Sequence, residues 1–276
     1  MLKTVESKIS ALNWELGYRL SRLQHSKNLP ALEKRDRIIL NALKREGVYV
    51  TTLADLGLEN TPELLQSAHK LVSTMGGSNN QQSQKLPQIY TVTDLPEFKT
   101  WGNAPRLMKI IENYLGLPVA FQGVHLRQDL PNYNQFGTLL WHKDSEDRRM
   151  VKVIIYLNDV EEKHGPFEYI PLSLTSFPNL NSYQIDYKLW QSGYLGINDE
   201  EVKEIVPKSA WKSCPGQAGT VIITDPRTVL HHGTLRTESR SALFFVYTAN
   251  PPKRPELCTQ YWDDTFAKPD IAKVTI

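Results

Sequence analysis

The chain has 276 residues, 40% hydrophobic and 22% charged, with 32 basic residues against 30 acidic ones and a formal net charge of +2. This is an ordinary globular mixture, long enough to bury a sizeable core, and it excludes a disordered or fibrous chain. The balanced charge lacks the concentrated positive stripe of a nucleic-acid binder, and no apolar run reaches the length of a membrane span. Residues 1–20 mix charges into every turn where a signal peptide would carry an apolar block. Two cysteines, Cys214 and Cys258, are too few for a disulfide framework, so a cytoplasmic, reducing setting is expected.

The front of the chain, residues 1–116, reads as helical. Val5, Ile9, Leu12, Leu16 and Leu20 recur at steps of three and four, as on one face of an amphipathic helix over residues 3–24. Leu32, Ile38, Ile39, Ala42 and Leu43 predict a second helix, with Gly47 as its stop. Residues 48–53 (VYVTTL) read as a strand. Thr61-Pro62-Glu63 supplies an N-cap, a proline at the first helical position and a first-turn acid, opening a helix that runs to about Met75. Residues 76–85 (GGSNNQQSQK) predict a surface loop, and Leu107, Ile110, Ile111 and Leu115 a helix over 103–115.

Strands dominate from there, over 118–128, 137–144, 150–160, 166–172, 219–225 and 241–249. Short strands without alternating crossover helices argue for an antiparallel barrel or sandwich over 117–249. Residues 173–215 read as an irregular insert with one acidic helix near 199–205, expected to form a lid or substrate wall. Residues 250–276 form a tail, and the whole reads as a single domain.

His142-Lys143-Asp144 is the first feature with chemical content. Residues i and i+2 of a strand share a face, so an imidazole and a carboxylate converge while Lys143 points away. The second is residues 219–247, where an apolar strand leads to His231-His232-Gly233 and then to Arg240 at the mouth of another apolar strand. Two histidines and one carboxylate on a single face of a metal leave open positions, as an oxygen-activating iron requires. Each feature alone fits a surface residue; their joint occurrence at strand ends does not.

With WHKD (141–144), VKVIIYLNDV (151–160), HGPFEYIPLS (164–173) and DPRTVLHHG followed by Arg240, the chain resembles the phytanoyl-CoA dioxygenase-like branch of the Fe(II)/2-oxoglutarate oxygenases. The resemblance covers roughly residues 117–249. It implies a double-stranded β-helix, the jelly-roll core of that class, behind an α-helical N-terminal region. It implies Fe(II) held by His142, Asp144 and a later histidine. The family pattern His-x-Gly favours His231, with His232 as the alternative, since neighbours on a strand point oppositely. It also implies 2-oxoglutarate and O2 as cosubstrates, with Arg240 in the family's position for the far carboxylate.

Lys152, in an otherwise apolar strand, is a second candidate for that carboxylate, because an unpaired buried ammonium would be costly. Arg127 and Gln122 are candidate substrate contacts. A carboxylate at Asp144 fills the site that halogenating relatives leave for chloride, so hydroxylation of an unactivated carbon in a small metabolite, acyl or carrier-bound substrate is expected. The family's Gly-Ser-His is replaced by Pro171-Leu172-Ser173, a departure on the substrate side. Trp141 reads as core packing, His164 as a surface turn residue, and His125 as a hydrogen-bonded structural histidine. The competing readings are a non-catalytic jelly-roll binding protein and a zinc hydrolase with a metal-bound water. Substrate determinants are expected in the helical front and in 173–215.

Overall fold

The computed structural model describes residues 2–75 and 86–270, with side chains from residue 14 onward; the loop expected at 76–85 lies outside the described residues. The front supplies α1 (Leu2–His25), α2 (Lys34–Glu46), β1 (Val48–Thr52), the single turn α3 (Leu53–Leu56), α4 (Thr61–Thr74), β2 (Gln88–Thr91), α5 (Pro96–Gly102) and α6 (Pro105–Leu115). The rest supplies β3 (Val119–Asp129), β4 (Met150–Tyr156), β5 (Phe167–Ile170), α7 (Leu172–Thr175), α8 (Leu180–Gln191), α9 (Asp199–Lys203), β6 (Lys212–Cys214), β7 (Thr220–Thr224), β8 (Leu230–Gly233) and β9 (Arg240–Ala249). No described helix is long and apolar enough to cross a membrane.

The strands form two antiparallel sheets, one in the order β1-β7-β4-β9-β3-β2 and one in the order β6-β5-β8. This is the jelly roll expected from the sequence, with helices on the outside. Alternation along each strand divides the larger sheet into two faces. Val124, Leu126, Val151, Val153, Ile155, Val221, Ile223, Leu243, Phe245 and Tyr247 point outward and pack with α2, α4, α5 and α6 in one apolar core. Ile154, Tyr156, Ile222 and Ala242 point inward against Phe167, Tyr169 and Cys214 of the smaller sheet. The remaining inward positions of β3, β4 and β9 are where the polar residues sit.

Gly47 ends α2 as expected: its φ is +76°, its N–H donates to the Leu43 carbonyl, and a Cβ there would clash with the Val229 side chain. At α4 the cap position falls on Asn60 and Thr61 is the first helical residue. Residues 137–144 depart from expectation. They make a 3-10 turn, Gly137–Leu139, and then an extended run that pairs only through isolated bridges, Trp141 with Ile197 and His142 with His231. The insert is also more regular than expected, since α8 lies within it. Ile185, Leu189, Ile197, Val202, Val206 and Trp211 pack with Trp141, Ile170 and Leu230, so the insert backs the outer face of the smaller sheet.

Candidate metal centre

Three backbone contacts fix the His142–Asp144 run. His142 exchanges N–H to carbonyl hydrogen bonds with His231 at 2.9 and 3.1 Å, Trp141 does so with Ile197, and the Asp144 N–H donates to the Pro226 carbonyl at 2.9 Å. His142 and His231 therefore lie side by side, ring centroids 4.4 Å apart, although one precedes the other by 89 positions. Ligand atoms of His142, Asp144 and His231 all fall within 4.8 Å of one another, and His142 Nε2 is 3.6 Å from Asp144 Oδ1.

Both imidazoles are oriented from behind. His142 Nδ1 faces the Leu140 carbonyl at 2.7 Å and His231 Nδ1 faces the Val229 carbonyl at 3.0 Å. A carbonyl oxygen only accepts, so each Nδ1 carries the proton and each Nε2 presents a free lone pair to the cluster. Burial lowers the pKa of both rings, most strongly at His231, where the neighbouring His142 adds to it; Asp144 opposes the shift at His142. Neutral imidazoles with a free Nε2 beside a carboxylate are a donor set that fits a ferrous ion.

His232 points the other way. Its Nδ1 faces the Leu139 carbonyl at 2.9 Å, its Nε2 faces Glu168 Oε2 at 2.9 Å, and its ring stacks on Trp141 at 3.8 Å. Both nitrogens are engaged by oxygen, so this ring has no free lone pair for the cluster. Trp141 itself is fully buried and donates from Nε1 to Asp199 at 2.8 Å.

Lys152 is on an interior strand, not an edge, and points inward. Its Nζ lies 2.6 Å from Asp144 Oδ2 and 3.8 Å from Glu146 Oε1, and Tyr261 donates to Glu146 at 2.7 Å. Burial opposes the lysine's charge, but Asp144, Tyr261 and Glu146 outweigh it and push its pKa well above the ordinary value. The ammonium thus rests on the candidate ligand Asp144.

Arg240 faces Asp129 directly across the β3–β9 ladder. Its Nη2 and Nε donate to Asp129 Oδ2 at 2.7 and 3.1 Å, and its Nη1 donates to the Gly165 carbonyl at 2.5 Å. Arg127 Nε donates to the other Asp129 oxygen at 2.5 Å, and Arg236 Nη1 lies 2.9 Å from Asp129 Oδ2. Burial alone would raise the Asp129 pKa; the three guanidiniums outweigh it and hold the carboxyl far below the usual range.

Two cavities adjoin these groups. A small one of about 100 Å³ is lined by His142, Asp144, His231, Lys152 and Arg240. A larger one of about 410 Å³ runs past Asp144 and Lys152 to Arg127 and Arg236, within the size range of small-molecule sites. Arg127 lines both. Gln122 lines neither and donates to Thr248 Oγ1 at 2.7 Å. The wall of the larger cavity includes Leu86, Pro87 and Ile89 together with Gln260, Tyr261 and Phe266, while no described residue of the 173–215 insert lines either cavity. Asp129, Glu146, Arg236 and Tyr261 escaped the sequence reading. Only Asp129 left a trace there, two places after Arg127 on the same strand face.

Among known proteins, the family model for phytanoyl-CoA dioxygenase matches residues 65–242. No curated protein matches the chain. Solved structures of similar fold include EctD from S. alaskensis in its apoform, 18% identical, covering 81% of this chain and 79% of that one with a TM-score of 0.53. The 2-oxoglutarate-dependent epimerase SnoN from nogalamycin biosynthesis is 15% identical over 78% of this chain and 83% of that one, with a TM-score of 0.51. HygX from Streptomyces hygroscopicus, with nickel and 2-oxoglutarate bound, is 16% identical over 79% and 88%, with a TM-score of 0.50. The chain belongs to the phytanoyl-CoA dioxygenase family and is an Fe(II)/2-oxoglutarate-dependent oxygenase.

Proposed function

We propose, taking that membership as the premise, that the protein hydroxylates an unactivated carbon of a small organic or acyl substrate, consuming 2-oxoglutarate and O2 and releasing succinate and CO2. In this reading His142, Asp144 and His231 hold Fe(II), which when bound supplies the oxygen activation that no side chain can provide. The observation that supports it most is the pair of imidazoles, each with Nδ1 committed to a carbonyl and Nε2 turned toward one carboxylate.

The surrounding residues have defined tasks. The Leu140 and Val229 carbonyls fix the tautomers. Lys152 takes Asp144 Oδ2 and so leaves Oδ1 on the side of His142. Arg240, anchored edge-on by Asp129, turns toward the small cavity, where a planar fork suits the far carboxylate of 2-oxoglutarate. Arg127, shared by both cavities, is assigned to substrate, whereas Gln122 is withdrawn from that role. The chain acts as a single catalytic domain in which the insert stiffens the 141–144 run through Ile197 and Asp199.

An anaerobic titration with Fe(II) and 2-oxoglutarate tests this. The visible charge-transfer band of the chelate is expected in the parent chain and absent in His142→Ala, Asp144→Ala and His231→Ala, while His232→Ala retains it. Arg240→Ala should keep iron and weaken 2-oxoglutarate by about tenfold or more, since a charged bidentate contact is lost. A parent chain that forms no band, or a band lost with His232 and kept without His231, would overturn the assignment.

A further inference from the structure

The arginine cluster carries more positive charge than the oxygenase reading uses. Arg127, Arg236 and Arg240 converge on one carboxylate, Asp129, so three cations face one anion and the cluster is left with a net charge of +2. Asp129, Arg236 and Arg240 are each at least nine-tenths buried. Unbalanced charge in such a place is costly unless an anion joins it. The far carboxylate of 2-oxoglutarate at Arg240 would cancel one charge and leave the other.

The second charge lies at the larger cavity. Arg127 and Arg236 line it and Arg240 does not. Arg236 is 3% exposed, and its buried Nε has no hydrogen-bond partner among the described residues. Burial, opposed by Asp129 and reinforced by Arg240 and Arg127, lowers the pKa of Arg236 to about 10. The opposite end of the cavity has the reverse balance, because Lys152 meets two carboxylates there, Asp144 and Glu146. The rest of the wall mixes apolar Ile89, Phe136, Phe244, Val246 and Phe266 with the polar residues His125, Thr138 and Gln260.

Resting on the proposed oxygenase reading, we infer that Arg127 and Arg236 form a second anion subsite that holds the carboxylate of the substrate, whose apolar body extends along the cavity toward Asp144. A singly charged head is specified by the arithmetic: +2 on the cluster, less one for the cosubstrate, leaves +1. The substrate class is therefore a monocarboxylate with an apolar body small enough for about 410 Å³.

The test uses calorimetry on the protein loaded anaerobically with Fe(II) and 2-oxoglutarate. The probes are 4-phenylbutanoate, its neutral amide, and 4-phenylbutyl phosphate. The acid should bind about tenfold or more tighter than the amide, as expected for a charged rather than neutral contact to arginine. Arg236→Gln and Arg127→Gln should each reduce that ratio to about threefold or less, with 2-oxoglutarate affinity, read from the charge-transfer band, held within about threefold. If Arg236→Gln does not fold, the partly exposed Arg127 carries the test alone. Equal binding of acid and amide, including binding of neither, overturns the inference. So does a parallel loss of 2-oxoglutarate affinity in Arg127→Gln, which would give the whole cluster to the cosubstrate. Tighter binding of the phosphate ester overturns the monocarboxylate assignment. The acid-to-amide ratio is read again without iron or cosubstrate, so a missing band would sink the oxygenase reading separately from the subsite.

Discussion

The two faces of the larger sheet are made from the same strands and obey different rules. On β3, β4 and β9 the outward positions between Val124 and Leu126, Val151 and Ile155, and Leu243 and Tyr247 are apolar and meet helices, whereas the inward positions include His125, Arg127, Asp129, Lys152 and Arg240. Outside, any side chain of suitable volume contributes through area removed from water. Inside, each charge is tolerated only because a named partner faces it. The outer face thus sets the fold, and the inner face converts the rigidity of the fold into positioned charge.

The sharpest test of that contrast is Asp129. Asp129→Ala strands three guanidiniums, two of them buried, and should cost about 3–5 kcal/mol of stability, as for other broken buried ion clusters. Phe245→Ala, on the outer face, should cost a similar 3–5 kcal/mol, or roughly that, through its cavity. The two are told apart by repair. A Leu at 245 should recover much of the loss, while an Asn at 129, equal in shape but uncharged, should recover little. Urea unfolding of the four variants reads this; recovery at 129 by Asn would show that packing, not charge, governs the inner face.

A buried acid outside the cluster tests the same rule by pH. Asp225 caps the turn that leads into β8, accepting from the Arg227 and Thr228 amides and from the Tyr114 hydroxyl. Burial, only partly offset by those hydrogen bonds, raises its pKa from 3.8 to about 6. The folded state therefore holds this proton more tightly than the unfolded state, and the associated stability is lost as pH rises from about 4 to 6, by roughly 3 kcal/mol. His125 works in the opposite sense, since burial lowers its pKa to about 4. The measurement is accordingly a difference. Parent minus Asp225→Asn, by thermal or urea unfolding, should fall across that window, and a flat difference would refute the raised pKa.

Lys152 asks whether an inner-face charge acts on the metal without touching it. Lys152→Met keeps length and removes the ammonium that rests on Asp144 Oδ2. Iron affinity should drop about 10–100-fold, the usual effect of losing a partner behind a ligand, with secondary structure unchanged by circular dichroism. Unaltered affinity would make Lys152 a partner of Glu146 alone.

How much of this was legible in the sequence follows from the same two faces. Apolar patterning marks the outer face, so β1, β3, β4, β7 and β9 are legible as short apolar runs, α2 and α6 from their period, and α4 from its capping residues. His142, Asp144, His231 and Arg240 were legible through spacing and family resemblance. Their partners were not, because register decides them: Asp129 opposes Arg240 across a ladder, and Tyr261 reaches Glu146 from 115 positions away. The 137–144 run reads as a regular strand, but its apolar residues are held by bridges and side-chain stacking, not by a ladder. The helix α8 was missed since only Ser182, Ile185 and Leu189 are buried along it.

The smallest expected effect concerns α1, where period misleads in the other direction. Its spacing predicts a buried stripe, yet Leu16 is 50% and Leu20 57% exposed, and Trp14 and Leu23 are more exposed still. Periodicity reports that a face is apolar; it does not report that anything covers it. Among the described side chains, those from residue 14 onward, the helix meets the body through polar contacts, Arg148 with Glu15 at 3.0 Å and stacked over Tyr18. Leu16→Ser and Leu20→Ser should therefore each change unfolding stability by no more than about 0.5 kcal/mol, the range for surface substitutions. Arg148→Ala should loosen α1 more than either, read as faster amide exchange in residues 14–25. A loss of several kcal/mol from either serine would mean that the stripe is buried in solution, and would restore to the front helix the packing role its spacing suggested.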